Sequence, residues 1–371
     1  MTVQDITAEL EEWAPLETAE EFDNVGLLVG KKETEITGIL VTLDCLESVV
    51  DEAIEKKCNL IVSFHPIVFS GLKKITGKTY VERVVMKALK NDIAIFSMHT
   101  ALDNSFFGVN AMISDQLNLS KRKILIPKRE NILKLTTYVP NQNAAELREK
   151  LFEAGAGNIG NYSHCSFNLE GTGTFQGEEN SNPTVGERGK IHFENETQLN
   201  LTFPKYLEHK ILNTLFKNHP YEEVAYEITR LQNENQQLGM GMIGDLPLPI
   251  SEQTFFQQLK EKFHLKSIRH SEFLGKKVRK IAVLGGSGAF AISAAKREKA
   301  DVFITADLKY HDFFKAEKSI LLADIGHYES EQWTKNGIHS FLTKKIRNFA
   351  PALPENKVIL SETNTNPIHY F

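Results

Sequence analysis

Two short stretches of this sequence share one arrangement of chemistry-bearing residues. His99-Thr-Ala-Leu-Asp103 and His327-Tyr-Glu-Ser-Glu331 each set an imidazole four residues ahead of a carboxylate. On a helix that spacing puts both groups on one face, as two ligands of a single ion require. A third imidazole, His65 in Ser63-Phe-His-Pro66, stands at the end of an apolar run, where proline stops a strand pattern. Neutral imidazole and carboxylate together suit zinc, iron or manganese, and the absence of nearby thiols argues against a structural zinc site. An open position on such an ion would generate hydroxide near neutral pH. The competing readings are a structural histidine at 65 and a surface salt bridge at each pair. Three such sites at equivalent strand ends favour the metal.

Other motifs carry less. Leu284-Gly-Gly-Ser-Gly288 ends a strand and opens a helix at Ala289, so the N–H groups of Gly285, Gly286, Ser287 and Gly288 could cradle a phosphate, with a plain tight turn as the equal alternative. Gly239-Met-Gly-Met-Ile-Gly244 matches a dinucleotide fingerprint as text only, because Asp245-Leu-Pro-Leu-Pro249 cannot open the helix that fingerprint needs. Asp307, His311 and Asp312 read as solvated residues at a helix start, and Glu21 to Gly30 as a loop and edge strand.

The elements that must position these residues alternate. Apolar runs at Gly38–Leu43, Asn59–Ser63 and Ile93–Ser97 are separated by helical patterns at Leu46–Lys57 and Tyr80–Lys90, which implies parallel strands. The plan returns near the C-terminus, with strands at Val278–Leu284, Asp301–Thr305 and Ile320–Asp324 and a helix over Ala289–Lys299. An offset of 242 lays Ile39 on Ile281, Val41 on Val283 and His65 on Asp307, and an offset of 228 lays His99 and Asp103 on His327 and Glu331. This predicts a duplicated α/β unit with polar residues at the carboxyl ends of matching strands, where ligands gather in open sheets. From about Asn131 to Arg230 the texture changes to strand, helix, a Gly/Asn-rich turn, alternating strands and a second helix, an α+β insert with a surface loop at Gly177–Gly189. The expected organisation is a first lobe over residues 1–128, the insert over 129–233 and a second lobe over 234–371.

With 371 residues, 41% of them apolar and 25% charged, the chain has enough material for more than one folded core. A net charge of −5 and a pI near 6.2 count against nucleic acid as a partner; Lys121-Arg122-Lys123 is an isolated basic run. The three cysteines, Cys45, Cys58 and Cys165, form no close pair, and neither a leader nor a membrane span is evident. A cytoplasmic protein is expected.

Taken in order, Asp23-Asn-Val-Gly-Leu-Leu-Val-Gly30, Ser63-Phe-His-Pro-Ile-Val-Phe69, His99-Thr-Ala-Leu-Asp103, Gly241-Met-Ile-Gly-Asp-Leu246, Gly285-Gly-Ser-Gly288 and Gly326-His-Tyr-Glu-Ser-Glu331 resemble the GTP cyclohydrolase 1 type 2 family, also called NIF-three-like. The insert is similar to the PII/CutA-like domain of longer bacterial members. The resemblance implies a homohexameric ring with divalent metal ions, one or two per subunit, held by His65, Asp103, His327 and Glu331. It implies hydrolysis of GTP, with hydroxide attacking C8, release of formate and a dihydroneopterin triphosphate product. His99 would carry protons, and Gly285–Gly288 would meet the triphosphate. Members commonly have two adjacent histidines where this chain has Phe64-His65, which weakens the second ion. The alternative function is a non-catalytic metal-binding regulatory ring whose PII-like insert binds a partner or ligand.

Overall fold

The computed structural model describes residues 1–349 and 357–371, which fall into two compact units, Met1–Pro127 with Gln237–Phe371, and Lys128–Gln236. Among the described residues no helix is long and apolar enough to cross a membrane.

The first unit holds two related α/β lobes. In the first lobe's sheet the strands lie in the order Gly26–Val29, Ala94–Ser97, Leu60–Ser63, Ile39–Thr42 and Val358–Leu360. The second sheet runs Arg269–His270, Leu321–Asp324, Val302–Ala306, Lys277–Ser287, Asn235–Ser251 and Ser120–Lys128. Three central strands of each sheet are parallel, and their registers match. Ile39 pairs with Leu60 and Val41 with Val62, while Ile281 pairs with Val302 and Val283 with Ile304. The offset of 242 therefore describes paired backbones as well as similar letters. The third strands need an offset of 227, since Leu60 pairs with Ala94 and Val302 with Leu321. The offset of 228 read from the histidines is one residue larger because Ile325-Gly326 fills the space that Met98 fills alone. An antiparallel edge strand closes each triplet, Gly26 opposite Ser97 and Arg269 opposite Asp324.

Successive strand residues point to opposite faces, and here both faces are buried, which explains continuous apolar runs without alternation. Val41, Val62 and Phe96 face a core they share with Val283, Ile304 and Ala323 of the second sheet. Leu40, Ile61 and Ile95 pack outward on the helices Glu47–Glu55 and Tyr80–Lys90. Ala282, Phe303 and Leu322 do the same in the second lobe. One core thus joins the two sheets, so each lobe's strand ends are fixed relative to the other's.

The expected helix over Ala289–Lys299 is broken into a 3-10 turn, Ala289–Ala291, and a short α-helix, Ile292–Arg297. Gly288 at its start offers no side chain to accept the first free N–H groups. The dinucleotide-like glycines lie inside the long strand Asn235–Ser251 and open no helix; the next one starts at Glu252, after the strand has run on through residues 245–251.

In the second unit an antiparallel sheet, ordered Phe167–Gln176, Ile191–Pro204, Ile132–Pro140 and Tyr226–Leu231, packs on the helices Ala144–Glu153 and Glu208–Asn218. Leu135, Leu147, Leu201 and Ile211 are among its core residues.

Candidate metal centre

Backbone hydrogen bonds at the strand ends set each histidine. His65 N–H donates to Leu43 O at 2.9 Å, and Ser63 Oγ returns a bond to His65 O at 2.9 Å. His99 opens the helix His99–Asn104 with its N–H on Phe64 O at 2.9 Å. His327 opens the helix His327–Glu331 after Gly326, whose φ of 91° and contact with Glu329 Oε2, 2.2 Å from any added Cβ, admit only glycine. Both i, i+4 pairs therefore lie on helices, as their spacing predicts.

His65, His327 and Glu331 converge. One nitrogen from each imidazole and one oxygen of Glu331 lie within 4.8 Å of one another. Glu331 Oε2 is 3.1 Å from His65 Nε2 and 3.2 Å from His327 Nε2, yet neither approach has hydrogen-bond geometry, and the oxygen is buried. Close approach here depends on Gly286, where a Cβ would meet Glu331 Oε1 at 2.4 Å.

The far side of each ring is held by its own carboxylate. His65 Nδ1 is 2.8 Å from Asp44 Oδ1, His327 Nδ1 is 2.7 Å from Asp307 Oδ2, and His99 Nδ1 is 2.8 Å from Asp23 Oδ1. A carboxylate accepts, so a neutral ring keeps its proton on Nδ1 and turns the Nε2 lone pair inward. Asp23 is itself fixed by Thr100 Oγ1 at 2.5 Å and Thr100 N–H at 3.0 Å. Asp44 went unremarked in the sequence, and Asp307, read there as a solvated helix-start residue, instead orients His327. Asp307 had a signal: it occupies the place of His65 under the offset of 242. His311 is not among the grouped residues.

Charge in the cluster is strongly perturbed. Burial opposes a charged His65, but its bond to Asp44 and its charge pairing with Glu331 outweigh that and push it up to about 10. His327 is likewise penalised by burial yet raised to about 9, by Glu331 first and Asp307 after it. Burial works against ionised Glu331, and the two imidazoles overcome it, holding the carboxyl well below its ordinary range. Asp103 goes the other way: burial and repulsion from Glu331 raise it well above the usual carboxylate range. Its Oδ1 is buried with no hydrogen-bond partner among the described residues. Asp103 lies outside the convergent three, and its carboxyl and that of Glu331 are both buried and repel each other when ionised. The donor set fits a cation: two oriented imidazoles with carboxylate oxygen suit a borderline or hard divalent ion.

Phe64, where a second adjacent histidine would offer a ligand, is fully buried in the shared core, its ring 4.8 Å from His65 and 5.6 Å from His99. His99 stands beside the cluster, 5.3 Å from the His65 ring. Phe69 is half exposed 6.2 Å from His99, and exposed Phe22 lies 6.3 Å beyond it. In the glycine loop the expected cradle is partly spent: Gly285 N–H donates to Asn110 Oδ1 at 3.1 Å and Gly286 N–H to Ser330 Oγ at 3.0 Å. Ser287 and Gly288 remain as its candidates. A separate cavity of about 860 Å³ in the second unit, lined by Tyr138, Phe175, Glu196 and Tyr221, contains none of these histidines.

Fold and cluster together define a two-lobed α/β protein with a candidate divalent-metal centre at its strand ends. The family model described as Duf34/NIF3 (NGG1p interacting factor 3) matches residues 1–367, and the chain belongs to that family. It is 38% identical over 369 residues to a Bacillus subtilis protein named GTP cyclohydrolase 1 type 2 homolog, an alignment covering 99% of this chain and 98% of the relative. A Halalkalibacterium halodurans protein of the same name is 38% identical over 362 residues, covering 97% of this chain and 96% of the relative. Among solved structures, a Bacillus cereus protein related to NIF3 superposes with a TM-score of 0.86 at 35% identity, covering 100% of this chain and 99% of that one.

Proposed function

We propose that this chain is a metal-dependent hydrolase acting on GTP, as the name of its relatives suggests. The convergence of His65, His327 and Glu331, each imidazole backed by its own carboxylate, carries the reading. These three would hold a divalent ion, zinc, iron or manganese, with Asp103 as the fourth ligand. Such an ion, when bound, supplies Lewis acidity and lowers the pKa of water to near neutrality. The chain's own residues do the rest. Asp44 and Asp307 keep the Nε2 lone pairs inward. His99, its Nδ1 committed to Asp23, offers Nε2 to move protons as the imidazole ring of GTP opens at C8 and formate leaves. Phe69 and Phe22 offer an apolar wall for a planar base beside it. Ser287 and Gly288 are the candidates for meeting phosphate.

Buried Phe64 favours a second reading, since it removes a ligand from any second ion: a non-catalytic regulatory ring whose insert binds a partner or ligand. Protein loaded with zinc, iron or manganese, incubated with GTP and assayed for formate and a fluorescent pterin, separates the two. Both products are expected, and neither under any loading refutes the hydrolase. The proposed assembly is a homohexamer, checked by light scattering on the full chain. The insert is proposed to be a PII/CutA-like domain occupying residues 129–233.

A further inference from the structure

The C-terminal segment reaches the metal centre from behind. Val358–Leu360 adds a parallel strand beside Ile39–Thr42, Val358 opposite Ile39 and Leu360 opposite Val41. Beyond it the chain is anchored on Glu52, which accepts Ser361 Oγ at 2.6 Å, Glu362 N–H at 2.9 Å and Thr363 Oγ1 at 2.7 Å. Lys335 Nζ donates to Ser361 O at 2.9 Å. Two residues later the segment touches both lobes at once. Thr365, 5% exposed, donates through Oγ1 to Asp44 Oδ2 at 2.6 Å. Asn366 Nδ2 donates to Glu329 Oε1 at 3.2 Å, on the short helix that carries His327 and Glu331.

We propose that Thr365 is a positioning residue for His65, acting through Asp44, and that the segment 361–366 thereby sets the metal affinity of the cluster. The inference rests on the reading of the cluster as a metal centre. Asp44 has two oxygens and two tasks. Oδ1 faces His65 Nδ1 at 2.8 Å, and Oδ2 takes the Thr365 hydroxyl, so the carboxylate cannot turn about its Cβ–Cγ bond without losing one of them. The Asp44 side chain is 30% exposed. Without Thr365, water competes for it, its rotation loosens, and the His65 ring loses both its fixed tautomer and its aim. Partners of this kind change metal affinity by about 10- to 100-fold when removed. Thr365 lies 300 residues from His65 in sequence, so only the folded chain reveals the link.

The test uses the full chain with zinc alone as probe. Competition with a chromophoric chelator should give Thr365→Val a zinc dissociation constant raised about 10-fold or more. Thr365→Ser, which keeps the hydroxyl, should stay close to native. Metal-free Thr365→Val should still unfold cooperatively with a midpoint only slightly below those of the native chain and Thr365→Ser, which separates loss of aim from loss of fold. In parallel, nitrogen NMR of histidine-labelled, metal-free protein reads the His65 Nδ1–H directly, and that signal should broaden or move in Thr365→Val only. Native zinc affinity in Thr365→Val overturns the proposal, as does equal loss in the valine and serine variants. If the native chain binds no zinc, the metal reading fails by itself. The NMR comparison then still decides the positioning role, which an unchanged His65 signal in Thr365→Val refutes.

Discussion

Metal binding to this cluster must expel protons, and the number follows from the structure. Without an ion, Glu331 is balanced by His65 and His327, raised to about 10 and about 9 against burial by Glu331 together with Asp44 and Asp307. At pH 7.5 both rings are charged, yet both must give an Nε2 lone pair to the ion. Freeing them spans about 4 pH units in total, or about 5 kcal/mol. Affinity should therefore climb about 100-fold per pH unit from pH 6.5 to 8.5 and flatten above pH 10. The stability of the metal-free chain has the opposite slope. Because both folded pKa values are raised, the stabilisation is complete below the ordinary histidine value near 6.5. It is lost as pH rises through about 9 and about 10. Titration calorimetry at pH 7.5 in two buffers of different ionisation enthalpy counts the protons, and about two per ion are expected from the imidazoles, with any further proton coming from raised Asp103. Release of fewer than about half a proton per ion would mean that the rings had been neutral or are not ligands.

Replacing Glu52 by Gln should cost about 2 kcal/mol at pH 7 after allowance for screening. Glu52 is held down to about 2, because bonds from Ser361, the Glu362 N–H, Thr363 and Lys56 outweigh the penalty of burial. Its stabilisation is present above the ordinary glutamate value of 4.5 and lost as pH falls toward about 2, so urea midpoints of variant and native chain should converge at acid pH. Asp23→Asn should leave zinc content unchanged but reduce formate release at least about 10-fold, because His99 loses the partner that fixes its tautomer. Phe64→His should allow a second ion per chain, measured by elemental analysis, with a lower metal-free thermal midpoint because an imidazole then sits in a fully buried apolar site.

Much of this was legible in the sequence where a period or a repeat carries the information. The pairs His99/Asp103 and His327/Glu331 follow from helical geometry, and the duplication follows from apolar runs that recur at a fixed offset. The one-residue slip at Gly326 is not legible, because the histidines give one offset while apolar registers fix the strand pairing by another. Asp44 and Asp23 escaped for another reason. Each sits in a loop with no period, 21 and 76 residues from the histidine it holds, and the only link is spatial. Asp307 is visible opposite His65 yet reads as solvated, since nothing local to a helix start separates a capping aspartate from one that orients a ligand. The glycine loop suggested free amides, and only the fold brings Asn110 and Ser330 to two of them. Asp103 is predicted by spacing, and its buried Oδ1 has no hydrogen-bond partner among the described residues, although it stands outside the convergent three.

The proposed site holds one divalent ion through His65, Asp103, His327 and Glu331. Its most direct test is metal content per chain, measured by elemental analysis after zinc loading and gel filtration, for the native protein and for Asp103→Ala combined with Glu331→Ala. At least one ion per native chain is expected, and none in the double variant at matched thermal stability. Unchanged stoichiometry in that variant would contradict this assignment.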